Sequence, residues 1–125
     1  MEKYLLVGAG GFAGSIARFW MSAYTGQRLG TRFPYGTFLV NLSGSFLIGL
    51  VMALLTSKTG LSPNWRYFVP VGFIGGYTTF SAFEYETLRA MQDGQFNVAI
   101  LNVVLSVVAG FVMVWIGWMA GKTFA

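Results

Sequence analysis

The chain has 125 residues, of which 55% are hydrophobic, 18% aromatic and only 10% charged, with a formal net charge of +4 at pH 7. That balance, with a mean hydropathy of +0.63, excludes an ordinary soluble domain and implies a membrane chain. With no cysteine and no histidine, disulfides, thiolate chemistry, imidazole bases and the usual zinc sites drop out together, so no enzymatic activity is expected.

Four apolar runs divide the chain, at Tyr4 to Tyr24, Tyr35 to Thr56, Tyr67 to Leu88 and Val98 to Ala120. Each is near the ~20 residues that cross a bilayer core as a helix. The connectors "TGQRLGTRFP", "SKTGLSPNWR" and "RAMQDGQFN" hold two of the three prolines and half of the charges, which predicts short polar loops. The expected fold is an all-α membrane protein, a single four-helix transmembrane domain over residues 1–125. The lipid bilayer is its surroundings, and no nucleic-acid partner is expected.

The first run is expected to remain as a span and not to be cleaved as a signal peptide. Gly8, Gly10, Gly11, Gly14 and Arg18 interrupt the apolar core that such a peptide needs. Its "YLLVGAGGFAG" imitates a dinucleotide-binding turn, but that turn requires an acidic residue about 20 positions on. Gln27, Arg28 and Arg32 occupy that region instead, followed by another apolar span. Gly10 and Gly14, with Ala9, Ala13 and Ala17, read better as small-residue stripes that let helix backbones approach closely in lipid.

Basic residues ordinarily fix orientation, because Lys-rich and Arg-rich loops stay cytoplasmic. Here one side would hold Lys3, Lys58, Arg66 and Lys122 and the other Arg28, Arg32 and Arg89, a bias of only four to three. So weak a bias permits insertion both ways, and a short bundle encloses little by itself. The expected assembly is an antiparallel, dual-topology homodimer whose two-fold axis lies in the membrane plane.

Polar groups within the spans are costly and usually face a partner or a water-filled path. Arg18, Asn41, Ser43, Ser45, Thr78, Thr79, Ser81, Asn102 and Ser106 form this set. Asn41 with Ser45, and Asn102 with Ser106, are spaced i, i+4 and so share helix faces. Each strip serves either as interhelical hydrogen-bond glue or as the lining of a path. Arg18 either pairs with Glu84 or Glu86 or attracts anions.

The third run contains "GFIGGYTTFSAF", residues 72 to 83. Three glycines weaken the helix, and the hydroxyls of Thr78, Thr79 and Ser81 can occupy backbone groups that an interruption frees. A break is predicted near Gly75 to Thr79, close to the middle of the third helix. In an inverted dimer its carbonyls would face their symmetry mates and could enclose a small cation. Phe80 and Phe83 follow three apart, so their rings project from nearly the same side, and a ring's positive edge can meet an anion.

"GFIGGYTTFSAF", together with "GTFLVNLSGSFLIG" (residues 36 to 49) and the early "GSIAR" (residues 14 to 18), closely resembles the Fluc fluoride channels, also called CrcB proteins. The resemblance runs over nearly the whole chain. It implies a dual-topology homodimer with two antiparallel pores that passively exports toxic fluoride from the cytoplasm across a bacterial inner or plasma membrane. On the family's pattern the pore phenylalanines match Phe80 and Phe83, and the pore asparagine matches Asn41. Pore hydroxyls match Thr79 and Ser81, and the acid after the phenylalanine motif matches Glu86. A structural sodium ion at the dimer axis would be held by backbone carbonyls of Gly75 and Thr78. Asn102 and Ser106 are expected as further pore contacts, and Arg18 in the vestibule. Glu84 stands where small polar residues are common in the family.

A small dual-topology exporter of cationic drugs is the alternative, but it calls for a deeply buried acid, and the first span offers only Arg18. A purely structural subunit would explain the glycine stripes but not the clustered hydroxyls and phenylalanines.

Overall fold

The computed structural model describes residues 1–58 and 61–124, and every regular element among them is helical. α1 spans Glu2–Leu29 and α2 spans Tyr35–Ser57. A third rod is assembled from α3 (Asn64–Arg66), a π-helical stretch (Tyr67–Ile74), α4 (Gly75–Tyr77) and, beyond an extended step, α5 (Phe80–Gln92). α6 closes the bundle as Phe96–Phe124. Among the described residues α2 and α6 are long and apolar enough to cross a membrane. α1 has the length, but its glycines and Arg18 dilute the apolar run, and the third rod is divided.

The first and third connectors are shorter than the sequence pattern suggests, while residues 59 and 60 of the second lie outside the described residues. α1 runs on through Thr25 and Gly26 because its backbone ladder continues to the Gly30 amide, which donates to the Gly26 carbonyl at 3.0 Å. It ends at Gly30, whose φ of +86° suits a residue without a Cβ. α5 likewise extends to Gln92 and turns through Asp93 and Gly94 into α6, with Gln95 N–H donating to the Ala90 carbonyl at 2.8 Å. Phe33 packs here on a small core of Ala90, Val98 and Ala99.

Pro70 explains the wide turns before the break. It lacks an N–H and its ring crowds the preceding carbonyl, so an ordinary α-helical turn cannot form around it. The chain widens instead, and the Gly75 amide reaches the Pro70 carbonyl five residues back.

Two close helix pairs hold the bundle, both through glycine. α2 and α6 interlock reciprocally: a Cβ at Gly49 would strike the Val114 carbonyl, and one at Gly117 would strike the Phe46 carbonyl. α1 seats on the third rod in the same way. Gly10 meets the Phe68 carbonyl, Gly14 the Phe73 carbonyl, and Gly76 the Gly11 backbone. Without a hydrophobic force between helices in lipid, such backbone approach supplies the packing that joins them. The Gly10 and Gly14 stripe read from the sequence therefore does pack.

Adding a methyl group at one of these seams forces the helices apart. Gly117→Ala should lower stability by about 1–3 kcal/mol, seen as earlier thermal unfolding in detergent. Gly8→Ala, where the new methyl meets nothing within 4 Å, should not lower the unfolding temperature, since alanine favours the helix over glycine.

Candidate functional site

The third rod breaks at two residues. Thr78 (φ −84°, ψ 156°) and Thr79 (φ −148°, ψ 116°) are extended, while Gly75 and Gly76 remain helical. The interruption thus occupies the downstream edge of the expected window. Gly76 is absent from it because it is pressed against Gly11 of α1, a contact that needs helical geometry and no side chain. The glycines seat the rod, and the threonines carry the break.

Each backbone group freed by the break has an identifiable partner problem, and side chains solve most of it. Asn41 of α2 makes a reciprocal pair with Thr79: its Nδ2 donates to the Thr79 carbonyl at 3.0 Å, and its Oδ1 accepts from the Thr79 N–H at 2.9 Å. A side-chain amide here replaces a strand neighbour. Thr79 Oγ1 accepts from the Ala82 N–H at 3.3 Å and so caps α5. Thr78 Oγ1 folds back to donate to the Ile74 carbonyl at 3.0 Å. Arg18 of α1 donates its Nε to the Gly76 carbonyl at 3.1 Å.

Around this break lie two cavities. One, of roughly 360 Å³, opens on the outer side of the bundle and is lined by Asn41, Gly44, Ser45, Gly75, Thr78 and Phe80 among others. The second, of roughly 350 Å³, lies between α1, α2 and α5 and is lined by Arg18, Ser22, Thr37, Thr79, Ala82 and Glu86 among others. A third space of similar size, where α1 ends and α2 begins, shares Ser22, Thr37 and Glu86 with the second. Those three residues form the wall between the two. The two spaces therefore lie next to each other between the start of α2 and Thr79.

Glu86 sits at that wall with unequal oxygens. Its Oε2 accepts from Thr37 Oγ1 at 2.9 Å, whereas Oε1 is buried without a partner. Arg18 contacts neither Glu84 nor Glu86 within hydrogen-bond reach, since its bond goes to backbone, and Glu84 is exposed. The ion pair considered for Arg18 does not form.

Phe80 and Phe83 do lie together, with centroids 5.7 Å apart and planes inclined at 55°. Their surroundings differ: Phe80 is 74% exposed on the single chain and Phe83 only 6%. The i, i+3 spacing places them side by side, but one ring faces outward and the other into the bundle. Ser81 is exposed.

Asn102 is almost fully buried and both ends of its amide are engaged. Nδ2 donates to Thr87 Oγ1 at 3.0 Å, and Oδ1 accepts from Ser106 at 3.3 Å. Thr87 in turn donates to the Phe83 carbonyl at 2.8 Å. Ser106, Asn102 and Thr87 thus tie α6 to α5 just beyond the phenylalanine pair. Ser45 lines the outer cavity with Asn41.

Three contributors escaped the sequence reading. Thr37 precedes Asn41 by four residues, so the i, i+4 rule that paired Asn41 with Ser45 would have added it one turn earlier. Thr87 stands four after Phe83 and could have been found likewise. Tyr77, buried with its hydroxyl 2.9 Å from Ser43 and its ring stacked on Phe73, carries no sequence signal that separates it from core packing.

The model of the CrcB-like protein, Camphor Resistance (CrcB) family matches residues 5–118, and the chain belongs to that family. It is 52% identical over 120 residues to a protein of Acidobacterium capsulatum named fluoride-specific ion channel FluC, covering 96% of each chain. A protein of the same name from Solibacter usitatus is 50% identical over 120 residues, covering 96% of this chain and 98% of the relative. A third, from Citrifermentans bemidjiense, is 43% identical over 122 residues, covering 98% of each.

Asn41→Asp tests the clamp on the break directly. The carboxylate keeps the acceptor for the Thr79 N–H but loses the donor to the Thr79 carbonyl and sets like partial charges together. A buried bond lost this way costs about 1–3 kcal/mol, so thermal unfolding should begin at lower temperature than in the parent.

Proposed function

We propose that this member of the CrcB family is a fluoride-selective passive channel that exports cytoplasmic fluoride as an antiparallel, dual-topology homodimer with two pores. The observation that carries the reading is the clamped break at Thr78–Thr79 with the Phe80 and Phe83 rings immediately beyond it and a cavity bordered by Arg18, Thr79 and Glu86 beside it. The name of the relatives points the same way.

Fluoride is small and strongly hydrated, so a path must replace its waters by close hydrogen-bond donors. Asn41, the hydroxyls of Thr79 and Ser81, and the positive ring edges of Phe80 and Phe83 are donors of that kind. Glu86 and Thr37 stand where the polar spaces meet, and Arg18 lends positive charge to the inner one. Asn102 and Ser106 contribute by fixing α6 against α5. A passive path suffices for export: hydrogen fluoride enters as a neutral acid, dissociates in the less acidic cytoplasm, and a negative interior potential then drives the anion out.

The dimer is supported by the break itself. Unwound backbone at membrane depth is tolerated only when protein or a water-filled cavity covers it. On one chain the outer cavity and Phe80 lie open, and a second copy would cover them. Dual insertion is supported by matched ends. Lys3 over Tyr4 and Lys122 over Trp118 mark one face, while Arg28 over Tyr24 and Arg89 over Tyr85 mark the other. Two cation–aromatic pairs on each face leave little to choose between orientations.

A sodium ion fits the backbone at the break. With the Thr79 N–H given to Asn41, the Gly75 carbonyl lacks its helical donor, and extended Thr78 holds its carbonyl outside any helix. Both residues line the outer cavity, and no cluster of three acidic, Cys or His side chains occurs among the described residues. Gly75 and Thr78 carbonyls would hold the ion, which would supply a fixed positive charge between the copies.

One observation favours a proton-coupled exporter instead, the partnerless buried Oε1 of Glu86. Liposomes containing only this protein separate the two. Fluoride efflux that exceeds chloride efflux and needs no pH gradient supports the channel; steady uphill transport driven by a pH gradient supports the exporter.

Within the channel reading, Phe80→Ile and Phe83→Ile keep an apolar side chain and remove the ring edge. Each should cut fluoride flux about tenfold or more, a factor that corresponds to roughly 1.4 kcal/mol, while the dimer still assembles. Parental flux in both variants would place the path elsewhere.

The assembly has its own test. Three lysines added to the Gly30–Pro34 connector should bias insertion and abolish efflux, and coexpression with an oppositely biased copy should restore it. Full activity of the biased chain alone would rule out dual topology.

A further inference from the structure

Arg18 stands on the same face of α1 as the two glycines that seat the third rod. Gly10, Gly14 and Arg18 are spaced by four, and they meet that rod in order: Gly10 at Phe68, Gly14 at Phe73 and Arg18 at Gly76. The stripe of close backbone contact therefore ends in a guanidinium placed at the last turn before the break. The carbonyls of that turn are the negative end of a helix and lack onward donors. Arg18 Nε bonds one of them, the Gly76 carbonyl, at 3.1 Å across 58 residues of sequence.

From the opposite side, Asn41 grips Thr79 at both its N–H and its carbonyl. The two side chains come from different helices and hold the chain at Gly76, just before the extended step, and at Thr79 within it. We propose that Arg18 is a positioning residue, one that fixes the angle between the two halves of the broken rod by capping Gly76 and thereby aims Phe80 and Phe83. The inference rests on the channel reading and departs from it at one point, because an anion attractor would need only the charge.

The geometry distinguishes the two roles. Guanidinium is planar, and its Nε–H lies in a rigid fork, so the bond to Gly76 is directional. An ammonium keeps the charge but not the fork. The α1 contact is also close enough for the direction to be set, since a Cβ on Gly76 would strike the Gly11 backbone. Glu86, the carboxylate that shares the cavity, is bonded to Thr37 and not to Arg18, so it does not compete for the guanidinium.

The test uses the full chain with Arg18→Lys and Arg18→Gln, read by fluoride efflux from liposomes at low and high salt and by amide hydrogen exchange. Positioning predicts that both variants lose about tenfold or more in flux at either salt, the scale set by one charge-assisted hydrogen bond. Exchange should quicken at the Thr79 and Ala82 amides, which report the break, and stay parental between Asn102 and Ser106. Parental flux in Arg18→Lys, or a loss in Arg18→Gln that appears only at low salt with parental exchange, would overturn the proposal in favour of charge attraction. Faster exchange throughout the chain would overturn it in favour of a general stabilising role. Should Arg18→Gln fail to fold, Arg18→Lys decides by the same readouts. A parent chain that carries no fluoride would sink the channel reading alone, because the exchange pattern still tests the clamp.

Discussion

Backbone polar groups that leave a helix within a bilayer must find partners inside the protein, and this constraint organises the molecule. Each unsatisfied N–H or carbonyl in hydrocarbon costs several kcal/mol, more than a small bundle can lose at several positions. The extended step at Thr78–Thr79 exists because Asn41, Thr79, Thr78 and Arg18 together meet that demand. Thr78 and Thr79 belong to the step itself, Asn41 reaches it from α2, and Arg18 reaches in from α1. Everything else that the site contains is placed relative to this step.

Glycine makes such a solution geometrically available. For Asn41 and Arg18 to reach main chain on another helix, the helices must approach more closely than ordinary side chains permit. The Gly10, Gly14 and Gly76 contacts bring α1 onto the third rod, and a Cβ at Gly44 would run into Thr78. Small residues in α1 and α2 thus sit one turn or less from the polar residues that hold the break. Close packing and polar satisfaction are a single arrangement here, since widening either seam would lengthen the hydrogen bonds as well.

Much of this was legible in the sequence, and what was not has a common cause. Helix positions follow from local hydropathy, and the glycine stripe follows from spacing along one helix; both are properties of a short window. The break was also readable, although Gly75 and Gly76 drew the eye upstream of the two threonines that actually extend. Those glycines answer to α1, which no local window includes. Arg18 shows the same limit more sharply. Its complement looked like Glu84 or Glu86 because only side chains advertise charge in a sequence, whereas its partner is a carbonyl that every residue possesses. Asn41 stood out as a polar residue in a span, but that both its amide atoms serve Thr79 depended on a contact 38 residues away.

Glu86 and Arg18 complete the electrostatic logic of the inner cavity. One carboxyl group and one guanidinium line the same space without pairing, so each keeps unused hydrogen-bonding capacity. A direct salt bridge would have consumed those groups and filled the space between them. Left apart, each group has its own partner, Glu86 in Thr37 and Arg18 in the Gly76 carbonyl. Ser22 and Thr37 border both polar spaces and supply hydroxyls at the wall. An unpaired polar group in a membrane bundle calls for such polar neighbours, and in this chain the cavity they line is bordered also by Thr79 of the extended step.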